Sequence, residues 1–205
     1  MMPVNKIKEV VKTSPIVPVL TLDDAAQAHA VGEALVTAGV KLLEVTLRTE
    51  AGLQSIKEMS RIEGAVVGAG TVLDAELAKK AVDAGATFLV SPGLSAGVAK
   101  EAERLNVPYL PGVATSTDIM QARDLGINWL KFFPAGALGG IKTLKGYASV
   151  FPEIEWMPSG GISENDYAQW LELSKVIAVG GSWLTSGGAD AKEIHARAKR
   201  LKLVA

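Results

Sequence analysis

Cysteine is absent from this chain, and that removes disulfides, thiolate zinc sites, iron–sulfur clusters and any cysteine nucleophile. Histidine is nearly absent, and two in 205 residues leave little for a histidine-rich metal centre. Neither sign of charge is in excess, with 21 Lys and Arg against 22 Asp and Glu. The chain therefore has no basic footprint for nucleic acid or an anionic membrane surface. No window approaches the ~18 uninterrupted apolar residues of a membrane-spanning helix. The opening stretch MMPVNKIKEVVKTSP lacks the apolar core and small-residue cleavage site of a signal peptide. No linker, low-complexity tract or charge run divides the chain, so one domain over residues 1–205 is expected. The expected setting is the cytoplasm, with neither nucleic acid nor membrane as partner.

What is present is a rhythm. Apolar residues make up 48% of the chain and reach a mean hydropathy of +0.24 through many short runs, the pattern of strands buried on both faces. The runs predict strands near residues 16–20, 42–46, 65–68, 88–91, 109–112, 129–133, 155–158 and 176–179. Amphipathic stretches near 24–38, 51–60, 74–84, 96–105, 116–125, 140–147, 164–173 and 189–202 predict helices between them. A short helix near 5–12 precedes the first strand. Gly39, Gly85 and Gly126 each stand where a helix hands over to a strand. Eight strand-then-helix units of roughly 25 residues predict an α/β fold, a compact (β/α)8 barrel with a short N-terminal helix. An open doubly wound sheet is the alternative, but GxGxxG is missing after the first strand.

In such a barrel the chemistry lies at the C-terminal ends of the strands. Alternation in WLKFFP places Trp129, Lys131 and Phe133 on one face. Burial there costs an ammonium its hydration and favours the neutral amine, the form that attacks a carbonyl to give a Schiff base. The structural alternative is a lysine whose stem packs while its head reaches solvent. In LLEVTLRTE, Leu42, Glu44, Thr46 and Arg48 share a face, which aligns a carboxylate, a hydroxyl and a guanidinium. Glu44 can relay protons and Arg48 can fork onto a substrate carboxylate, unless the two simply form a buried structural pair.

Thr71 closes GAGTV, where Gly68 and Gly70 permit close backbone approach. SPG at 91–93 and PGV at 111–113 read as tight loops that shape the same mouth. The last two strands end in PSGGIS and VGGSWL, where Gly160, Gly161, Gly180, Gly181 and Ser182 could hold a phosphate. Two turns closing a barrel are the plainer reading of the same glycines. His29 and His195 fall within helical stretches away from every strand end. Other phosphate-binding barrel enzymes (epimerases, isomerases, decarboxylases) and a non-catalytic phosphometabolite sensor also fit a glycine-rich mouth.

The strings PIVPVL, LEVTLRTE, VGAGTV, SPG, PGV, KFFPA, GGI and GGSWL, in that order over nearly the whole chain, resemble the KDPG/KHG aldolases. These enzymes act on 2-keto-3-deoxy-6-phosphogluconate and 4-hydroxy-2-oxoglutarate. The resemblance implies a class I aldolase on a (β/α)8 barrel, usually a homotrimer, working without metal or other cofactor on a small 2-keto acid phosphate. It implies Lys131 as Schiff-base lysine, Glu44 as proton shuttle, Arg48 and Thr71 as carboxylate pocket, and the glycine pairs with Ser182 as phosphate site. One departure bears on substrate preference. The family segment PTGGI is PSGGI here, so Ser159 keeps the hydroxyl and lacks the methyl.

Overall fold

The computed structural model describes residues 4–201, with side chains described from Ile7 onward. The chain runs α1 (Val4–Thr13), β1 (Ile16–Leu20), a 3-10 turn (Ala25–Gln27), α2 (Ala28–Thr37), β2 (Leu42–Thr46), α3 (Gly52–Met59) and β3 (Val66–Gly70). It continues α4 (Ala75–Asp83), β4 (Leu89–Val90), α5 (Ala96–Leu105), β5 (Tyr109–Leu110), β6 (Gly112–Val113) and α6 (Ser116–Asp124). The last third is β7 (Trp129–Phe132), α7 (Gly140–Val150), β8 (Glu155–Pro158), α8 (Tyr167–Leu171), β9 (Val179–Gly181) and α9 (Ala191–Lys199). Four helices start on a side chain that satisfies an otherwise orphaned amide: Asp74, Ser95, Thr115 and Asp190. Gly39, Gly85 and Gly126 all take positive φ at the predicted helix stops.

The strands are parallel and form two sheets, ordered β5-β4-β3-β2-β1-β9 and β6-β7-β8. Two single bridges, Trp156 to Val176 and Ser159 to Gly180, tie the second sheet to the β9 segment. The expected strand at 109–112 is instead two short strands. Pro111 lies between them and has no N–H to give a ladder, although its carbonyl accepts from Lys131 N. The expected last strand at 176–179 begins later: Val179 pairs with Ile16, while Val176 makes only its bridge. The helix expected from residue 24 opens as a 3-10 turn, because the Asp24 carboxylate accepts from Ala26 N.

Strand alternation sorts the apolar residues into two cores. Leu43, Val45, Val67, Leu89, Leu130 and Phe132 face the helices and join their buried faces. Val17, Leu42, Val66, Phe88, Trp129, Met157 and Ala178 point to the other side and pack with one another. Ile7 and Val11 of α1 belong to this second cluster, so the N-terminal helix covers the end where the strands begin. Full burial of such a Leu, Ile or Phe is worth about 1.5–3 kcal/mol each, which holds strand ends in place for the residues that follow them. No described helix is long and apolar enough to cross a membrane.

Candidate active site

Two residues beyond the apolar start of each inward face, the character of the strands changes. In β2, Glu44 follows Leu42; in β7, Lys131 follows Trp129. The two strands lie in different sheets, yet Lys131 Nζ donates to Glu44 Oε1 across the interior at 2.9 Å. Their side chains are 7% and 1% exposed, so both charges have left bulk water for each other. Glu44 Oε2 is buried with no hydrogen-bond partner among the described residues, an open acceptor beside the amine. The Phe133 ring lies under the same amine, its centroid 5.2 Å from Nζ. Gly70, paired with Thr46 across β2 and β3, makes room for the carboxylate: a Cβ there would lie 2.4 Å from Glu44 Oε1.

Above the pair opens a cavity of about 280 Å³. Glu44, Thr46, Arg48, Thr71, Lys131 and Phe133 line one part of it. Ser159, Gly160, Gly161, Gly181 and Ser182 line another, with Val19, Pro92 and Ile162. Arg48 is exposed and donates to Thr21 Oγ1 at 2.9 Å; it makes no ion pair among the described residues. The structural alternative of a Glu44–Arg48 pair is therefore not realised. Thr71 has φ +61°, an uncommon backbone conformation for a β-branched residue, and it presents its side chain at the mouth. Gly160 and Gly161, at φ +88° and +83°, turn the chain where β8 ends. The loop bearing Ser182 is held from behind, since Arg197 Nη1 donates to the carbonyls of Trp183 at 3.1 Å and Ser186 at 2.8 Å.

The family model for KDPG and KHG aldolase matches residues 7–201. The chain belongs to that family. It is 45% identical over 194 residues, 94% of this chain and 93% of the relative, to the 2-dehydro-3-deoxy-phosphogluconate aldolase of Zymomonas mobilis. A solved structure of the Zymomonas mobilis 2-keto-3-deoxy-6-phosphogluconate aldolase with 3-phosphoglycerate superposes with a TM-score of 0.91 at 44% identity, covering 97% of this chain and 95% of that one. The KDPG aldolase of Legionella pneumophila, with pyruvate captured at low pH as a covalent carbinolamine intermediate, superposes with a TM-score of 0.89 at 34% identity, covering 94% and 96%.

For a KDPG/KHG aldolase family member, the sequence anticipates most of what lines this cavity. Lys131, Glu44, Arg48, Thr71, Ser159, Gly160, Gly161, Gly181 and Ser182 all meet there. Gly180 does not. It points inward, but a Cβ on it would stand 2.8 Å from Ser159 Oγ, so its role is to leave space for that serine. Pro92 of the SPG loop lines the cavity as expected, whereas Val19 and Ile162 in the lining, and Thr21 beside it, are not among the expected site residues. Thr21 had a usable signal, because Val17, Val19 and Thr21 share the inward face of β1. His195 packs on α2, with its Nδ1 3.1 Å from Ala34 O, and His29 lies beside Glu33 on the surface. No group of three His, Cys, Asp or Glu suited to a metal ion occurs among the described residues. A larger cavity, about 830 Å³, lies at the opposite end of the strands between α1 and α8. Its lysines, Lys8 and Lys12, are already paired with Glu155 and Glu9.

Proposed function

We propose that this chain is a class I aldolase that cleaves 2-keto-3-deoxy-6-phosphogluconate to pyruvate and glyceraldehyde 3-phosphate, and 4-hydroxy-2-oxoglutarate to pyruvate and glyoxylate. The observation that carries this reading is the Lys131 amine, buried against Glu44 at the floor of the cavity. Membership of the KDPG/KHG aldolase family supports it independently.

In this mechanism the Lys131 ammonium passes a proton to Glu44, and the neutral amine that results attacks C2 of the 2-keto acid. The N–C2 bond forms, the carbonyl electrons move to oxygen, and a carbinolamine results. Glu44 delivers a proton to the departing hydroxyl, water leaves, and an iminium remains. Glu44 then takes the C4 hydroxyl proton through its open oxygen, directly or through a water. The C3–C4 electrons flow to the iminium nitrogen, the aldehyde departs, and an enamine is left. Protonation at C3 and addition of water release pyruvate and restore the amine. Arg48 and Thr71 hold the substrate carboxylate, so the carbonyl carbon meets Nζ in attacking geometry. Gly160, Gly161, Gly181 and Ser182 hold the phosphate at the far side of the cavity, and that remote binding orients the scissile bond. Ser159 lies between the two ends, where it bears on which C4 configuration fits.

The fold around this chemistry is, in the same reading, one closed (β/α)8 barrel forming a single domain over residues 1–205. The bridges between β8 and the β9 segment, and the bond from Lys131 N to Pro111 O at the other junction, support closure. Family membership supports a homotrimer in the cytoplasm, and sedimentation at three chain masses is the expected result.

The test is reduction with borohydride in the presence of pyruvate, followed by intact and peptide mass spectrometry. A reduced pyruvyl adduct on the peptide containing Lys131 is expected. A folded protein that forms no adduct would falsify the Schiff-base reading.

A further inference from the structure

Thr46 is a buried hydroxyl, 1% exposed, on the same face of β2 as Glu44, and it lines the cavity. Its side-chain partner among the described residues is Thr21 Oγ1 at 3.0 Å. Thr21 lies just past β1, outside the cavity lining, and its oxygen also meets Arg48 Nη2 at 2.9 Å. A guanidinium only donates, so the Thr21 oxygen must accept from Arg48. A hydroxyl that accepts from a cation is polarised to donate onward. Polarised in this way, the Thr21 hydroxyl is placed to give its proton to Thr46 Oγ1, an arrangement that leaves the Thr46 proton for the cavity.

We infer that Thr21 is a positioning residue that aims the Arg48 fork at the substrate carboxylate and directs the Thr46 hydroxyl into the cavity as a hydrogen-bond donor beside Glu44. This rests on the aldolase reading, in which the group bound there is the carboxylate end of a 2-keto acid. Arg48 is exposed and has no ion pair among the described residues, so Thr21 is the anchor that selects one orientation from the many open to a long side chain. The effect belongs to binding of the pyruvate half. Thr21 touches neither Lys131 nor Glu44 and does not act on the bond-breaking step.

Thr21→Val keeps the shape and removes both hydrogen bonds, whereas Thr21→Ser keeps them. The measurement is the rate of borohydride inactivation against pyruvate concentration, which separates half-saturation from limiting rate. Half-saturating pyruvate should rise about five- to tenfold in Thr21→Val, with the limiting rate and the Thr21→Ser variant within about twofold of wild type. An unchanged half-saturation, a fall in limiting rate alone, or a Thr21→Ser variant as impaired as Thr21→Val would overturn the inference. If Thr21→Val does not fold, Thr21→Ala enters the same measurement combined with Arg48→Lys. Non-additive losses support the positioning role and additive ones overturn it. Wild-type protein that pyruvate cannot trap would overturn the aldolase reading itself, and this inference with it.

Discussion

The inward faces of the strands make two regions from one alternating pattern. At the end where the strands begin, Leu42, Val66, Phe88, Trp129 and Met157 pack against each other, and Ile7 and Val11 cover them. One inward step later, about 6.6 Å along a strand, the same faces carry Glu44, Gly68, Lys131 and Ser159. The lower region is built to exclude water. The upper one keeps charge because each buried charge has a partner and the space above stays open. The contrast teaches that the packed end sets the position of the reactive end: Lys131 and Glu44 stand where the residues two places below them are wedged.

The comparison is broken most completely at the amine. Lys131→Ala should reduce cleavage of 2-keto-3-deoxy-6-phosphogluconate to background in a coupled pyruvate assay, since no other lysine lines the cavity among the described residues. Glu44→Gln keeps the shape and removes the base, and kcat should fall by ~10² to 10⁴, the usual worth of a general acid–base group. The lower region should fail differently. Trp129→Ala should cost about 3–5 kcal/mol in urea unfolding through the cavity it leaves, with KM nearly unchanged in the fraction that stays folded. A Trp129→Ala protein of full stability would show that the packed end is dispensable.

Smaller changes sharpen the division inside the upper region. Ser182→Ala should raise KM for the phosphorylated substrate about tenfold while sparing 4-hydroxy-2-oxoglutarate, because the hydrogen bond lost is one to a charged group. Equal losses on both substrates would argue that Ser182 is not at the phosphate end. The smallest effect lies outside both regions, at Tyr109, whose hydroxyl meets Gly93 O and Ser95 N. Burial holds its ionisation above the ordinary tyrosine range, against the opposing hydrogen bonds. The unfolded chain then loses this proton first, so stability is intact below about pH 10 and falls as pH rises beyond it. Tyr109→Phe should flatten that alkaline limb in a denaturation series, and an unaltered slope would count against it.

Lys131 and Glu44 were legible in the sequence because a charge at an inward position of an apolar strand is costly enough to need a purpose. The glycine pairs were legible because two of them end successive strands. Gly180 lies off the cavity lining for a physical reason: alternation says which way a residue points, and not that Ser159 already fills the space it faces. Thr21 is harder to see, because threonine is an ordinary strand residue and its meeting with Arg48 spans 27 positions. Pro111 had a readable consequence, the loss of a ladder donor, yet its carbonyl still holds Lys131 N and keeps β7 in register.

By itself, the sequence determined the parallel α/β class, the faces of the strands, the positions where charge enters an apolar face and those where glycine opens the backbone. Those properties follow from periods of 2.0 and 3.6 residues, from backbone freedom at glycine, and from residue chemistry, all of which are local. Tertiary structure alone decided that Glu44 pairs with Lys131 and not with Arg48, and that Arg48 rests on Thr21. It also decided that Glu44 keeps one oxygen free. Partner choice is a matter of distance across the interior. Residues 87 positions apart come within 2.9 Å only after both sheets have packed around their apolar ends.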